Sequence, residues 1–517
     1  MIIDRTWNKR EQKLTITYCD KQGNRQFYHK YMHHMKTYEY DSNGKLDTWN
    51  GRKCSVVYKD TQTYTPNEFD ILEFMYEMDP NILEQLHAQY FPKLYFFDIE
   101  TEYSDEFPYP DKAEHKVTAI SLVGPDMSCI VFGLHDLSQQ SKDLFKERYL
   151  SFIDNNEFAK NLLNSQGHEP KVLYQYFATE EELLKHWFNI IIPKVCAIAG
   201  WNSYRFDWQY LVNRIKRLFG DGEAIKMVKN GSPTHEMRYI QFEEMDGTRI
   251  RVPAPCHTLI LDYMELVKQY DYILRPYESY SLDWVGEHAI GANKVKYEGG
   301  LQQLYERDPE WYYFYNAVDS LIGILIHKRL KCLESPCAVD SVTLVPLMAA
   351  TGQVALTTAN MFEEFYKDNK KVVWDYDAIP RIKQKYKGAF CGCVPGRYSY
   401  CCCIDFASLY PSMIITENLS FESVYENKVG PDSFGRYTTV PWTNQQLEEF
   451  KKDPNYFVTV NNNVYKNDKD YAFKRMQLRV KNSRAKYKYT GQKIDAELLV
   501  EIDRLIEEKK NEKEIML

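Results

Sequence analysis

Residues 93–101 read KLYFFDIET. The apolar run Leu94–Phe97 with Ile99 has the composition of a buried strand, and side chains on a strand alternate with period two. Asp98 and Glu100 therefore share one face, and Phe97 and Ile99 share the other. A D-x-E pair on a strand is most often an ordinary edge or surface pair. Its meaning depends on what else converges on it.

Two later segments supply candidates. GWNSYRFDWQYLVNR (200–214) places Asp207 at the opening of a helix, with Asn202 and Phe206 just before it. YNAVDSLIGI (315–324) places Tyr315 and Asp319 four apart, on one helical face. Taken singly, an F-D at a helix start reads as a cap and a Y-x-x-x-D as a solvated face. Together they give four carboxylates from three elements. Two divalent cations roughly 4 Å apart need such a set of hard oxygen ligands. A tyrosine hydroxyl one turn from Asp319 is placed to orient a water.

The rest of the chain frames these segments. The 517 residues are 44% hydrophobic and 27% charged, a soluble, globular composition, and the length predicts three or four domains. A net charge of −8 leaves no bulk positive field, so any nucleic-acid contact must come from local patches. Twelve irregularly spaced cysteines behind a charged N-terminus read as free thiols in a reducing compartment. The apolar stretches at 189–201 and 341–362 are too short or too polar to span a membrane.

Residues 1–92 mix short strand-like runs with polar turns, followed by an amphipathic stretch around EFDILEFMYEM. From 93 to about 330, β-runs alternate with helical ones, which predicts an α/β domain with a mixed sheet. Residues 331–365 read as a connector that packs back. GAFCGCVPGRYSYCCCIDF (388–406) reads as two strands around a PGR turn, ending in Asp405 and then the turn-like SLYPS. Its cysteines fit no standard zinc spacing. Residues 471–494 hold eight Lys or Arg and no acid, whereas 495–517 hold eight acids against four bases. Positive charge confined to one helix suits a phosphate-binding element.

In order and setting, DIET, NSYRFD and YNAVD resemble the Exo I, Exo II and Exo III motifs of DnaQ-like 3′–5′ exonucleases, in the subclass with a tyrosine in the third motif. ESYSLDWVGEH (278–288) is similar to the segment that precedes that motif. DFASLYPS (405–412) resembles motif A of family B DNA polymerases, the replicative group that includes those of large phages. YKGAF (386–390) resembles that family's Y-x-G-G/A segment.

The resemblance implies an α/β multidomain chain. It would have a β-rich N-terminal domain (1–92), an RNase H-like (DnaQ-like) exonuclease domain (93–330), a partial α+β palm (366–440) and partial helical fingers (441–517). It implies that Asp98, Glu100, Asp207 and Asp319 hold two Mg²⁺ ions, with Mn²⁺ as a substitute, and that Tyr315 positions the water. Asp405 would bind the polymerase metals. The backbone of Phe406, Ala407, Ser408 and Leu409 would meet the triphosphate, and Tyr410 would exclude a ribose 2′-OH. Arg484 and Lys488, with Arg479 competing for the arginine's place, would grip the triphosphate. Asn202, Phe206, Tyr386, Gly388 and Ala389 would contact DNA.

The partners implied are primer-template DNA, a single-stranded 3′ end and dNTP, in the cytoplasm of a virus-infected host. No D-T-D follows Asp405, and KNSRAKY (481–487) lacks the glycine of motif B. Asp405 alone cannot hold two metals. The expectation is therefore a competent exonuclease whose polymerase site is completed by a separate C-terminal chain, by a read-through product, or by residues lost to truncation. The alternatives are a stand-alone exonuclease and a non-enzymatic single-strand-binding module.

Overall fold

The computed structural model describes residues 1–102, 107–244, 247–271, 273–347, 353–374, 392–402, 408–429 and 438–482. The chain forms two compact units. One holds residues 1–33, 61–65 and 75–356, and the other holds 34–60, 66–74 and 357–517. Residues 1–92 are thus divided between them.

The first unit is built on a six-stranded mixed sheet. Its strand order is Val172–Tyr176, Cys129–Gly133, Val117–Val123, Leu94–Thr101, Ala197–Gly200 and Leu259–Asp262. The central strand Leu94–Thr101 pairs antiparallel with Val117–Val123 and parallel with Ala197–Gly200. Its alternation sorts the core into two layers. Leu94 and Phe96 pack in one layer with the long helix Pro309–Leu330, and Phe97 and Ile99 pack in the other with helix Asp207–Phe219. By parity, Asp98 and Glu100 lie on the face that the long helix covers.

That helix is buried at sixteen of its 22 positions, so it is apolar on nearly every side rather than along one stripe. Asp308 caps its start by accepting from the Trp311 amide, and Pro309 occupies the first turn, where a missing N–H is harmless. Gly323 permits its close approach to the sheet, since a Cβ there would lie 2.1 Å from the Phe96 ring. Two hydroxyl contacts fix the register. Thr118 Oγ1 meets Tyr312 Oη at 2.6 Å, and Ser121 Oγ donates to the Asn316 carbonyl at 2.9 Å.

The first three strands of the chain, Ile2–Asn8, Lys13–Cys19 and Arg25–Tyr31, form a sheet that belongs to this same unit. Met1, Ile3 and Cys19 sit in the core layer of Leu94 and Phe96. Arg25 donates to the carbonyls of Val195 (3.1 Å), His257 (2.9 Å) and Pro193, and to Thr258 Oγ1 (2.8 Å). One guanidinium thereby satisfies the segments that lead into the two strands Ala197–Gly200 and Leu259–Asp262.

In the second unit, strands His34–Tyr40, Leu46–Asp47 and Lys53–Asp60 form a small sheet. The region read as a connector is helical at Gln353–Lys367. That helix packs through Met361 and Phe365 on Ala472 and Met476 of the helix at 472–482. The two helices are also joined by charge. Arg475 pairs with Glu364 (3.2 Å) and Asp368 (2.8 Å), and Arg479 pairs with Glu363 at 2.8 Å and donates to Asn360 at 3.0 Å.

Two expectations are corrected here. Residues 392–402, read as part of a hairpin, contain no strand, and Cys393, Cys401 and Cys402 are exposed. A strand forms only where a neighbouring strand pairs with it, and among the described residues none pairs with this run. The described part of the basic run is also not all free charge, because Arg475 and Arg479 are matched to carboxylates at 363–368. Sequence separation of more than a hundred residues hid those partners. Among the described residues, no helix is long and apolar enough to cross a membrane.

Candidate active site

Asp98, Glu100 and Asp319 converge, each offering a carboxylate oxygen within 4.8 Å of the others. Among the described residues theirs is the one group of three or more side chains that could hold a metal in this way. Asp98 Oδ2 is fixed by the Asn316 side-chain amide at 2.9 Å. Asp207 stands beside the group at the first position of its helix, where the helix end favours negative charge. Its Oδ1 accepts from the Ile99 amide at 3.2 Å, tying helix and central strand together next to Asp98. Tyr315 and Asp319 occupy one face of the long helix, as the spacing predicted.

Burial and mutual repulsion set the electrostatics. Burial pushes the Asp98 carboxyl well above the usual range, and Asp207, Asp319 and Glu100 raise it further. Burial, then Asp319, pushes Glu100 up to about 8, and burial pushes Asp207 up to about 7. Burial raises Asp319 too, although Lys294 opposes the rise. The Tyr315 phenol is raised by burial and the neighbouring carboxylates, so it keeps its proton at neutral pH.

The arrangement suits a cation. All the donors are hard oxygens, and Asp319 Oδ1 is buried with no hydrogen-bond partner. A buried carboxylate oxygen left without a donor is unfavourable until a cation reaches it. The three converging carboxylates thus fit a metal cation.

Three participants escaped the sequence reading. Lys294 Nζ lies 2.5 Å from Asp319 Oδ2 and 3.4 Å from the Tyr315 hydroxyl, which places a cation among the acids. Its segment, GANKVKY, carries no periodicity that would reveal this. Asn316 was passed over inside YNAVD, because only the Tyr315 and Asp319 face was considered. Asp262 accepts from the amides of Asn202 (3.1 Å) and Tyr204 (3.2 Å), pinning the loop that leads to Asp207. Asn202 has a φ of 61°, and Asn is among the residues that tolerate this left-handed backbone. Phe206 lies against Phe107, itself 59% exposed, at a ring separation of 6.0 Å.

Replacing Lys294 removes the one cation that, among the described residues, contacts these acids. Lys294→Ala is expected to lower the thermal midpoint of the metal-free protein and to enlarge the gain on adding Mg²⁺. Differential scanning fluorimetry with and without chelator measures both.

Of the second predicted site, Ser408, Leu409 and Tyr410 are described. The segment read as a turn instead begins helix Leu409–Thr416, with Ser408 at a φ of 54° ahead of it. Pro411 falls in the first turn, where no partner for its nitrogen is needed. Tyr410 is 76% exposed. Asp405, Phe406, Ala407, Tyr386, Gly388, Ala389, Arg484 and Lys488 lie outside the described residues.

Comparison with known families agrees with this geometry. Residues 24–285 match the model for DNA polymerase family B, exonuclease domain, and residues 347–467 match that for DNA polymerase family B. Asp98, Glu100 and Asp207 fall within the first match, and Tyr315 and Asp319 lie between the two. The chain is 29% identical over 340 residues to the DNA-directed DNA polymerase of Escherichia phage RB69, covering 63% of this chain and 35% of that protein. It is 27% identical over 333 residues to the DNA-directed DNA polymerase of Enterobacteria phage T4, with the same coverage. It is 26% identical over 312 residues to the DNA polymerase delta catalytic subunit of Candida albicans, covering 54% of this chain and 27% of that one. The chain therefore spans about a third of the length of the phage relatives it matches. With the first family match extending over half of its residues, the chain belongs to DNA polymerase family B.

Proposed function

We propose that this chain is a 3′–5′ exonuclease acting on single-stranded DNA ends, within a family B replicative DNA polymerase. The observation that carries the reading is the convergence of Asp98, Glu100 and Asp319, with Asp207 alongside and one buried Asp319 oxygen unpartnered. The sheet, in which Val117–Val123 alone runs against five mutually parallel strands, supports an RNase H-like domain over 93–330.

Asp98, Glu100, Asp207 and Asp319 would hold two Mg²⁺ ions, or Mn²⁺ in their place. When bound, these supply charge neutralisation at the phosphodiester and a nucleophilic water at neutral pH. The chain's own groups do the rest. Asn316 holds Asp98 in orientation, and the Ile99 amide holds Asp207. The protonated Tyr315 hydroxyl, beside Lys294, positions a water by hydrogen bonding. Asn202 and Phe206 would receive the strand's last nucleotides, with Phe206 and Phe107 offering stacking faces.

In this reading 366–440 belongs to a palm and 441–517 to fingers, with Asp405 as a palm metal ligand, Tyr410 as the sugar filter and dNTP as substrate. Polymerisation also needs a second palm aspartate after Asp405, of the D-T-D kind, which these 517 residues do not supply. Primer extension would therefore depend on a further polypeptide part.

The experiment is release of nucleotides from a 3′-labelled single strand in Mg²⁺. Wild-type protein is expected to release them, and Asp98→Ala to lose the activity by a factor on the order of a hundred or more. No release from the wild type, or release unchanged in Asp98→Ala, would overturn the proposal.

A further inference from the structure

The hairpin Met237–Glu243 and Arg249–Pro255 stands apart from the main sheet. Its inner half is packed, with Ile240, Val252 and Ala254 buried in the core layer of Phe97. Its outer half is packed only in part: Phe242 and Ile250 touch the edge of that layer, and Phe242 stacks on Tyr204 at 6.2 Å between ring centres. Gln241, Glu243, Arg249 and Arg251 are exposed, and a cavity of about 440 Å³ opens beside Phe242, between the hairpin, the 201–206 loop and helix Tyr263–Tyr270. The cavity withholds apolar contacts on that side of the strand, which leaves a place for a polar tie.

Arg205 is placed to supply it. Its Nη1 donates to Glu265 Oε1 at 2.7 Å, on the helix, and its Nη2 donates to the Glu243 carbonyl at 3.0 Å, on the hairpin. Its Nε lies 3.7 Å from Glu244 Oε2, and its plane sits 5.5 Å from the Phe242 ring centre. An arginine in the loop ahead of Asp207 invites reading as a phosphate contact. Here its charge is already matched by two carboxylates, and its fork is committed to bridging three elements.

We infer that Arg205 is a positioning residue: a latch that joins the outer hairpin to helix Tyr263–Tyr270 and sets the outer side of the loop carrying Asn202 and Phe206. Asp262 pins that loop from inside through the Asn202 and Tyr204 amides, and Arg205 pins it from outside. This rests on the exonuclease reading for its effect on turnover, but not for its effect on motion.

The test has two arms on the full chain. In the first, amide hydrogen exchange of 239–243 and 249–252 is expected to quicken about fivefold or more in Arg205→Ala, while exchange in strand Leu94–Thr101 stays unchanged. Glu265→Ala removes the acceptor and breaks the same latch from the other side, so it should quicken the same amides, and the double variant should be no faster than either single one. In the second arm, Arg205→Ala is expected to raise KM for a single-stranded 3′ end with kcat nearly unchanged, and to leave the slope of log KM against log salt as in wild type. Hairpin exchange unchanged in both variants would overturn the inference. So would a salt slope reduced by about one in Arg205→Ala, because that is the mark of a lost phosphate contact. A wild type without nuclease activity would sink the proposed function and leave the exchange arm to decide the latch.

Discussion

Glu100→Gln is expected to make the protein more stable and nearly inactive. Removing one metal-facing carboxylate should cut nucleotide release by a factor of order a hundred to a thousand, the loss typical when a group stabilising transition-state charge is removed. The same change relieves repulsion in the metal-free protein. Glu100 is pushed up to about 8, first by burial and then by Asp319, so at neutral pH its ionised form is disfavoured where it stands. Substitution should raise the metal-free thermal midpoint by a few degrees, on the order of 1–2 kcal/mol.

The pH dependence checks the cause. A carboxyl raised in the folded state binds more protons there than when unfolded, so stability falls as pH rises towards the folded value. With Glu100 raised to about 8 and Asp207 to about 7, this loss sets in just above the ordinary carboxylate range, at about pH 4.5, and is complete by about pH 8. In chelator, the wild-type midpoint should fall across that window. The slope should flatten in Glu100→Gln and shrink when Mg²⁺ is present. Thermal melts at three pH values, with and without Mg²⁺, measure all of it. A midpoint that does not change with pH in chelator would mean that the acids are not in conflict.

Gly323→Ala is expected to damage both fold and site. A methyl group at 323 would lie 2.1 Å from Cδ1 and 2.4 Å from Cε1 of Phe96. Phe96 is 1% exposed and packs on Tyr263 at 5.2 Å between ring centres, so it has little room to turn aside. Overpacking of this kind typically costs about 1–3 kcal/mol. The helix would be forced away from the strand, and Asp319 sits one turn earlier on it. Chemical denaturation should show the stability loss and the nuclease assay a larger loss of activity. Phe96→Leu in the same chain should restore part of both, and a double-mutant cycle with no coupling would show the clash to be imaginary.

The sequence revealed the groups that obey a local rule. Asp98 and Glu100 follow strand parity, Tyr315 and Asp319 follow helical spacing, and Asp207 follows a helix start. Each rule spans a few residues, so one chain suffices to see it. The groups that orient them obey no such rule. Lys294, Asp262 and the Phe96–Gly323 approach arise from packing between distant segments, and no period announces them. The same reason hid the partners of the first arginines in the basic run, Arg475 and Arg479, which are answered by acids at 363–368. The hairpin expected around Gly396 is a different case: its partner strand was local, yet 392–402 forms no strand, so a turn signal alone does not secure a pair.

The contacts of Arg25 bear on modularity. Judged by composition, the nuclease begins at residue 93 and could be lifted out whole. Yet Met1 and Ile3 fill its interior, and a single guanidinium from the third strand completes the carbonyls of Val195 and His257. An excised 93–330 piece would expose a greasy wound and three backbone oxygens, of Pro193, Val195 and His257, that Arg25 had answered. The opening strands are best regarded as a keel laid with the nuclease, and grafting that activity into another protein would require carrying residues 1–33 along with it.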